Sequence, residues 1–421
     1  MQNIITLDNG LRIVYENMSH SRAISFGIWI GAGSCREEPC NNGISHLIEH
    51  MLFKGTKKKS AKDIAIAMDE IGGQINAFTG TECTCIYGKT LDQNIDKLFD
   101  VLTDMFFNST YDKDELVLEK NVVLEEISMC EDTPEELVHD VLNDMSWGNH
   151  SLGYPILGTK KSLEKINRDV ILDYIKNVYK PENVVLAFSG NIDGIGGGRV
   201  LESMVKESFG SWKAETLGLK PIKKAMFTPI TTYRYKDIEQ VHVALGFEGL
   251  ENNSSELYTM LALNNILGGG LSSRLFQKIR EEKGLAYTVY SYPSAYSYGG
   301  MFNIYAGTNP ECFDEVLRLI AIELSEIKAK GVLEGELERT KEQMKSNYIL
   351  SLESVSDKMN SMGQSLLLLN EIKTQENILK SIDEITLNTV KGVIDRIFDF
   401  DRVSMAVVGE VEVKRELKDF L

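Results

Sequence analysis

The stretch around which this chain is organised is Ile44-Ser-His-Leu-Ile-Glu-His-Met-Leu-Phe-Lys-Gly-Thr56, in which His46 and His50 stand four residues apart with Glu49 between them. In a helix this spacing stacks both imidazoles on one face, one turn apart. Two such imidazoles form half of a tetrahedral zinc site, and Glu49 projects beside them, placed to take a proton from a metal-bound water. The alternative is a pair of core histidines on an amphipathic helix. Because the chain has only 6 histidines, and two have ligand spacing around a carboxylate, the pattern favours a metal.

Length and composition indicate a soluble globular protein with two domains. A chain of 421 residues is too long for one ordinary core, and its 43% apolar and 25% charged residues are typical of globular proteins. No apolar run reaches the roughly eighteen residues of a membrane span. The start of the chain has neither the basic nor the apolar region of a secretory signal. We therefore expect a cytoplasmic protein that does not enter the membrane.

The charge and the cysteines restrict the partners and the redox environment. A net charge of −17 argues against nucleic acid and anionic membrane surfaces, and it is compatible with basic ligands. The cysteines include no C-x-x-C pair and are sparse for the length, which favours reduced thiols over a disulfide framework. They are Cys35, Cys40, Cys83, Cys85, Cys130 and Cys312.

Hydrophobic periodicity predicts a mixture of strands and helices in the first half. A hairpin is expected over residues 3–15, a strand over 25–30 and β structure over 74–88. Apolar residues at helical spacing predict helices between and after these strands. The predicted helices cover residues 43–54, 61–71, 92–108, 112–129 and 134–145.

A long-range repeat is the strongest sign of domain organisation. The segment 162–190 reappears 219 positions later as 381–409, with apolar residues matched to apolar residues and Gly190 matched to Gly409. One register kept over nearly thirty residues indicates a duplicated domain. We predict an α+β fold of two homologous α/β-sandwich domains, each a mixed sheet covered by helices, forming a clamshell half. The predicted division is 1–215 for the zinc-binding domain, 216–228 for a linker and 229–421 for the second domain.

The duplication predicts a counterpart of the histidine helix over 258–268. Aligning Lys54-Gly55 with Leu267-Gly268 puts Thr259, Ala262 and Leu263 opposite His46, Glu49 and His50. The second half therefore has no metal ligands at these positions. One half is expected to hold the metal, and the other to serve as a wall.

A catalytic zinc ion needs a third protein ligand, and the acidic helix at 112–129 supplies the candidates. Glu119 and Glu126 are two helical turns apart and so share a face, but periodicity cannot choose between Glu125 and Glu126. The alternative is a solvated acidic face. The candidates are Glu115, Glu119, Glu125 and Glu126.

The histidine segment resembles the inverted zinc motif, H-x-x-E-H, of the insulinase/pitrilysin metallopeptidases, and it is most similar to their mitochondrial-processing-peptidase-like, bacterial single-chain branch. In that family the third ligand lies 76 residues beyond the second histidine, which implies Glu126 here. A family carboxylate seven residues upstream implies that Glu119 supports the site. The resemblance spans both halves. Further matching segments are Trp29–Ser34, Asn76–Thr79, Leu152–Gly158, Gly268–Phe276 and Arg280–Tyr287.

The resemblance also implies roles for residues that carry no distinctive spacing. Tyr287 is expected to donate to the oxyanion and Arg280 to hold the substrate backbone, although Tyr287 by itself reads as an ordinary strand aromatic. Gly268, Gly269 and Gly270 resemble the glycine-rich loop of the family and otherwise read as a helix C-cap. An edge strand expected to pair with extended peptide contains Asn76, Ala77, Phe78 and Thr79. Cys83 and Cys85 follow it and are expected to be buried, inert thiols.

The function implied is a zinc endopeptidase with one Zn²⁺ per chain, which cleaves peptides or unfolded segments inside a closed chamber, with Glu49 as general base. Family habit implies a homodimer, and the net charge suggests a preference for basic peptides. The alternative is a non-catalytic structural or partner subunit. A third possibility, an enzyme that depends on a partner, is disfavoured because Arg280 and Tyr287 are both present.

Overall fold

The structure, a computed structural model, describes residues 2–214 and 218–421. Its strands are β1 (Gln2–Thr6), β2 (Arg12–Asn17), β3 (Ala23–Ile30), β4 (Gln74–Thr79), β5 (Thr84–Leu91), β6 (Val184–Gly190), β7 (Thr231–Arg234), β8 (Val241–Glu248), β9 (Ala286–Tyr296), β10 (Gly299–Thr308) and β11 (Val403–Val408). Its α-helices are α1 (Ile44–Leu52), α2 (Ala61–Glu70), α3 (Ile95–Asn108), α4 (Lys113–Asp132), α5 (Pro134–Trp147), α6 (Lys160–Lys165), α7 (Arg168–Val178), α8 (Gly198–Phe209), α9 (Leu257–Leu267), α10 (Phe313–Lys330), α11 (Glu334–Ser351), α12 (Val355–Leu369), α13 (Gln375–Asp383) and α14 (Leu387–Ile397).

The described residues form two compact units, each built on one mixed sheet. Unit 1 lies within Met1–Ile127, Tyr154–Ile222 and Ile349–Ile372, and unit 2 within Ser128–Gly153, Lys223–Tyr348 and Lys373–Leu421. The strand order is β1-β2-β6-β3-β5-β4 in the first sheet and β7-β11-β8-β10-β9 in the second. The fold class is as predicted: two α/β layers of related topology.

The first sheet is mostly antiparallel, with one parallel pair, β2 and β6. Its central strand β3 pairs with β5 on one side and β6 on the other, and nearly all of its residues are buried. Phe26 of β3 stacks on Phe188 of β6 with ring centroids 4.4 Å apart. Burying aromatic rings of this size dominates the energetics of such a core.

The repeat in the sequence is a repeat in structure at the same offset of 219. Helix α7 and strand β6 in unit 1 correspond to α14 and β11 in unit 2. Both helices begin with a side-chain cap, from Asn167 and Thr386, and both bury their apolar stripe. The duplication inferred from apolar matching is therefore confirmed at the level of whole elements.

Each unit also takes one helix from the sequence half of the other. Helix α12, late in the chain, packs on β3 and β6 of the first sheet, and α5, early in the chain, packs on β8 and β11 of the second. In the first case Trp29 donates to the sulfur of Met359 at 3.4 Å. Gly363 permits this contact, because a Cβ there would approach the Trp29 ring within 2.3 Å.

The predicted division at 1–215, 216–228 and 229–421 describes the sequence-related halves and stays a prediction, whereas the units above are defined by contacts. Residues 215 to 217, which include the predicted boundary and the start of the linker, lie outside the described residues. Across the described ranges, no helix has both the length and the apolar character needed to cross a bilayer.

Candidate metal centre

Helix α1 is fixed to the core by one apolar face. Its residues Ile44, Leu47, Ile48 and Met51 are fully buried in the core of unit 1, and the helix contacts β4 and β5. This packing leaves the other face for the polar residues. The helix begins after Gly43, whose φ of 90° lies in the left-handed region that glycine adopts without strain.

A buried carboxylate holds the start of this helix. Glu37 accepts hydrogen bonds from the backbone amides of Gly43 at 2.7 Å and Ser45 at 2.9 Å, and from the Asn42 amide at 2.8 Å. These donors include free amides of the first helical turn, which an anion satisfies well. Burial raises the pKa of Glu37, and the hydrogen bonds oppose that shift. The first turn, and with it His46, is thereby fixed.

The two imidazoles of α1 converge with one carboxylate of α4. His46 Nε2 lies 3.8 Å from Glu126 Oε2, and His50 Nε2 lies 3.6 Å from Glu126 Oε1. One ligand atom from each of the three residues lies within 4.8 Å of the other two. Helical periodicity did not decide between Glu125 and Glu126 as the third ligand candidate. In the structure Glu126 faces the imidazoles, whereas Glu125 is exposed.

This donor set fits a zinc ion. Two atoms about 2 Å from one tetrahedral ion stand roughly 3.3 Å apart, close to the spacings between Glu126 and the imidazoles. Glu126 Oε2 is shielded from solvent and has no hydrogen-bond partner among the described residues. A shielded carboxylate oxygen without a donor is costly, and a cation would satisfy it. Two imidazole nitrogens and a carboxylate are the ligand types of catalytic zinc sites.

The surroundings of His46 favour its neutral form, which is the form that binds a metal. Burial, with a smaller contribution from the charge of His50, lowers the pKa of His46 to about 4. The imidazole of His46 is therefore uncharged at neutral pH, as ligation requires. The two rings lie with centroids 4.6 Å apart and planes at 59°.

Glu49 lies beside the three ligands and is oriented by β4. Thr79, the last residue of β4, donates its hydroxyl to Glu49 Oε2 at 2.5 Å. Burial raises the pKa of Glu49, while the Thr79 hydrogen bond opposes the rise. A carboxylate whose pKa is raised toward neutrality and whose orientation is fixed suits general-base chemistry.

Glu119 lies behind His50. Its Oε2 is 3.1 Å from His50 Nδ1, and its Oε1 is 2.6 Å from the ammonium of Lys54. The Glu119 side chain is only 6% exposed. The position supports the predicted role of Glu119, and it adds Lys54, which the sequence did not single out.

The predicted peptide-binding strand is at a sheet edge. β4 stands last in its sheet and pairs with β5 on one side, so its other edge is unpaired within that sheet. Asn76 is exposed, and Ala77 and Phe78 are half-buried. Beyond the strand, burial raises the pKa of Cys83 to about 12 and that of Cys85 well above its ordinary value. Their thiols are therefore protonated and inert.

Unit 2 contains the other predicted substrate residues. The Arg280 guanidinium stacks over the rings of Phe276 at 4.8 Å and Tyr287 at 4.6 Å, and Tyr287 is 76% exposed. Both residues line a cavity of about 380 Å³. Gly268 ends α9, and its carbonyl accepts from the Ser291 amide at 3.2 Å. A Cβ at Gly268 would lie 2.5 Å from that amide nitrogen, so close packing against β9 accounts for this glycine.

The counterpart helix in unit 2 is α9, and it carries no ligands at the equivalent positions. Thr259 is 7% exposed, and Ala262 and Leu263 are fully buried. The helix predicted over 258–268 is observed as Leu257–Leu267, and these three residues are packed in the core of unit 2.

Sequence reasoning missed three roles: the helix anchor Glu37, the cation Lys54, and the contact of Thr79 with Glu49. Glu37 had a weak signal, since it is a carboxylate shortly before a helix. Lys54 and Thr79 had none, because their partners are far away in sequence or on another element.

The fold and the site together define a class of protein: a duplicated α/β scaffold whose first half bears an inverted H-x-x-E-H helix and a distant carboxylate. Residues 12–160 match the family model described as insulinase, peptidase family M16, and residues 165–344 match the model described as peptidase M16 inactive domain. The chain belongs to peptidase family M16. The second match begins after the histidine pair, within the first predicted domain, and extends through much of the second.

Two bacterial relatives agree with this assignment. The chain is 46% identical to the uncharacterized zinc protease YmxG of Bacillus subtilis, over 94% of this chain and 95% of that protein. It is 36% identical to an uncharacterized zinc protease of Streptomyces coelicolor, over 97% and 90% of the two chains.

Solved structures share the fold. A protease from Helicobacter pylori superposes with a TM-score of 0.91 at 22% identity, over 97% of this chain and 99% of that one. A peptidase M16 inactive domain from Pseudomonas fluorescens gives a TM-score of 0.90 at 19% identity, over 99% of both chains. At these identities the likeness concerns the fold alone.

Proposed function

We propose that this chain is a zinc-dependent endopeptidase that hydrolyses peptides or extended segments of unfolded protein. The observation that carries the proposal is the convergence of His46, His50 and Glu126, with Glu49 fixed beside them. Membership of peptidase family M16, and relatives named zinc proteases, support the same reaction. We propose one Zn²⁺ per chain.

The three ligand side chains would hold the ion through the two Nε2 atoms and the Glu126 carboxylate. When bound, Zn²⁺ supplies Lewis acidity, which lowers the pKa of water and polarises the scissile carbonyl. The protein contributes the fixed positions. His50 is oriented by Glu119, and α1 is held by its buried apolar face and by Glu37.

Glu49 performs the proton transfers in this proposal. Its carboxylate takes a proton from the attacking water and delivers it to the nitrogen of the leaving amine, so the carboxylate is regenerated in each cycle. Thr79 keeps one Glu49 oxygen occupied and thereby leaves the other to face the water. Because the chain provides one fixed base, a single substitution tests the assignment.

The remaining substrate contacts are proposed from the family resemblance. β4 would receive the peptide as an added strand, with its main chain paired to the free edge. Tyr287 would donate to the negatively charged oxygen of the intermediate, and Arg280 would bind the peptide backbone. The glycines at 268–270 would border the substrate.

The setting of the reaction is proposed in the same way. The family resemblance supports a closed chamber and a homodimer, and the sparse cysteines without a C-x-x-C pair support a cytoplasmic location. The net charge of −17 supports a preference for basic peptides. That preference predicts tighter binding of Lys- and Arg-rich peptides at low salt than at high salt, and equal binding at both would refute it.

The test of the endopeptidase proposal is Glu49→Gln, measured with zinc analysis and with mass spectrometry of an unstructured peptide library. We expect one zinc per chain in both proteins, and a loss of roughly 10²–10⁴-fold in kcat for the variant. The control is Glu125→Gln, which changes an exposed carboxylate on α4 and should leave both readings unchanged. Zinc binding with equal cleavage by wild type and E49Q would remove Glu49 from its role. Wild-type protein that binds no zinc and cleaves nothing would instead favour the non-catalytic subunit.

A further inference from the structure

Lys54 is joined to the candidate metal centre through one carboxylate. It lies two residues beyond the end of α1, and its ammonium is 2.6 Å from Glu119 Oε1. The other oxygen of the same carboxylate is 3.1 Å from His50 Nδ1. A continuous chain of contacts therefore runs from Lys54 through Glu119 to the ring of His50.

The burial of Glu119 gives the Lys54 contact its importance. The Glu119 side chain is 6% exposed, whereas that of Lys54 is 32% exposed. An ionised carboxylate this deeply buried requires a partner cation or several donors. His50 is uncharged when it acts as a ligand, so it cannot supply that charge. The ammonium of Lys54 does.

The contact with Glu119 in turn involves one particular nitrogen of the His50 ring. A carboxylate that pairs with an ammonium offers acceptor oxygens, so the geometry assigns the donor role in this contact to His50 Nδ1. The other ring nitrogen, Nε2, then keeps its lone pair and faces Glu126 at 3.6 Å. Fixing the tautomer through the second nitrogen also fixes the direction of the ring.

The two histidines differ in whether a side chain contacts the Nδ1 atom of the ring. His46 Nδ1 is buried and has no hydrogen-bond partner among the described residues. The orientation of His46 therefore depends on packing alone, and His50 is the imidazole whose ring is held by a charged chain.

We propose that Lys54 is a positioning residue of the metal centre, which holds the Glu119 carboxylate against His50 Nδ1 and so directs His50 Nε2 toward the ion. The inference rests on the proposed function for its zinc ion. The alternative is that Lys54 and Glu119 form an ordinary surface ion pair, which would contribute little to stability or to zinc affinity. A positioning role requires that charge at residue 54 matter for zinc affinity and that it act through Glu119.

The first test compares zinc affinity in Lys54→Met and Lys54→Arg, by competition with a coloured chelator. We expect K54M to weaken zinc binding by about 10–100-fold, as is typical for groups that orient a ligand. K54R keeps the charge and should remain within about threefold of wild type. The matched control is Lys58→Met, since the Lys58 side chain is 70% exposed and its ion pair is 3.9 Å long. Wild-type affinity in K54M, or equal losses in K54M and K54R, would overturn the proposal.

A second test shows whether Lys54 acts through Glu119. In the background of Glu119→Gln, the further change K54M should cost less than about twofold in zinc affinity, because the link is already broken. If K54M weakens zinc binding as much in this background as in wild type, Lys54 does not act through Glu119, and the proposal is overturned.

A third test needs neither a variant nor zinc. In metal-free wild-type protein labelled with ¹⁵N-histidine, the ring shifts of His50 should report a proton on Nδ1. A proton on Nε2 would overturn the proposal even if K54M fails to fold. This result is independent of peptide cleavage, so failure of the proposed function and failure of this inference are distinguishable.

Discussion

Helices α1 and α9 are counterparts in the two units, and every residue of Ile44–Leu52 differs from the residue aligned with it in α9. Both bury apolar residues against their own sheet, Leu47 and Ile48 in α1 and Met260 and Ile266 in α9. At the remaining positions α1 carries two histidines and a glutamate where α9 carries Thr259, Ala262 and Leu263. The scaffold therefore does not require the site. Chemistry was added to, or lost from, a fold whose stability is supplied by other residues.

The largest effect is expected when the two histidines of α1 are replaced by the residues that α9 carries at the aligned positions. The double variant His46→Thr with His50→Leu removes two of three ligands, so we expect zinc affinity to fall by roughly 10³-fold or more, with cleavage below detection. The fold should survive, because Leu47, Ile48 and Met51, which pack α1 into the core, are unchanged. Zinc analysis and circular dichroism measure the two outcomes.

The control for this variant is His20→Leu, an exposed histidine away from the site, which should keep its zinc. Retention of stoichiometric zinc by the double variant would mean that the ion is held elsewhere.

The anchoring of α1 by Glu37 is the next difference, since the side-chain acceptor at the start of α9 is the neutral Ser254 hydroxyl, which accepts from the Glu256 amide at 3.2 Å. Glu37→Ala leaves three donors without an acceptor in a buried site, and we expect a loss of about 2–4 kcal/mol in the free energy of unfolding. Urea denaturation of the metal-free protein measures it. The neighbouring Glu38→Ala, in a surface ion pair with Lys220, should cost less than about 1 kcal/mol. Similar values for the two variants would contradict the anchoring role.

A further feature of the α1 site is the single hydrogen bond by which Thr79 orients Glu49, the residue that α9 replaces with Ala262. Thr79→Val keeps the shape and removes the donor, so Glu49 loses its orientation, and we expect kcat to fall by roughly 10–100-fold with KM little changed. Thr79→Ser restores the hydroxyl and should recover most of the rate. A serine variant as slow as the valine variant would assign Thr79 a packing role only.

A buried histidine of unit 2, His139, is hydrogen-bonded to two tyrosines, and its response to acid pH is the smallest of the expected effects. His139 on α5 lies 3.1 Å from the Tyr290 hydroxyl and 2.9 Å from the Tyr292 hydroxyl, and Tyr290 also bonds Glu135. Burial lowers the pKa of His139 to about 4, below its ordinary value of 6.5. The unfolded chain therefore binds more protons between these two pH values, and stability falls as pH decreases from 6.5 toward 4.

Between pH 7 and pH 5 this linkage predicts a loss of about 1–2 kcal/mol in the free energy of unfolding. His139→Gln should remove that part of the pH dependence. Urea denaturation of both metal-free proteins at the two pH values isolates the effect, because all other titrating groups are common to them. Parallel pH dependences in wild type and variant would contradict it.

Features close together in the sequence could be predicted from it. The spacing of His46, Glu49 and His50 gives a shared helical face because the helical period is a local property. Apolar matching at an offset of 219 gave the duplication, since each half must bury an equivalent core. The family resemblance selected Glu126 over Glu125, which periodicity had left undecided. The exchange of α5 and α12 between the two sheets could not be predicted, because it depends on distant packing.

By itself, the sequence determined the two duplicated layers, the histidine helix and the absence of ligands on its counterpart, because these depend on periodicity and residue type. Only the tertiary structure decided that Glu37 anchors the helix, that Thr79 holds Glu49, and that Lys54 reaches His50 through Glu119. The Glu37 contacts need the turn that brings this carboxylate back to the amides of Gly43 and Ser45, and the other two contacts join side chains from separate segments. That proximity results from packing α1 and α4 with β4 on one core, and no local pattern encodes it.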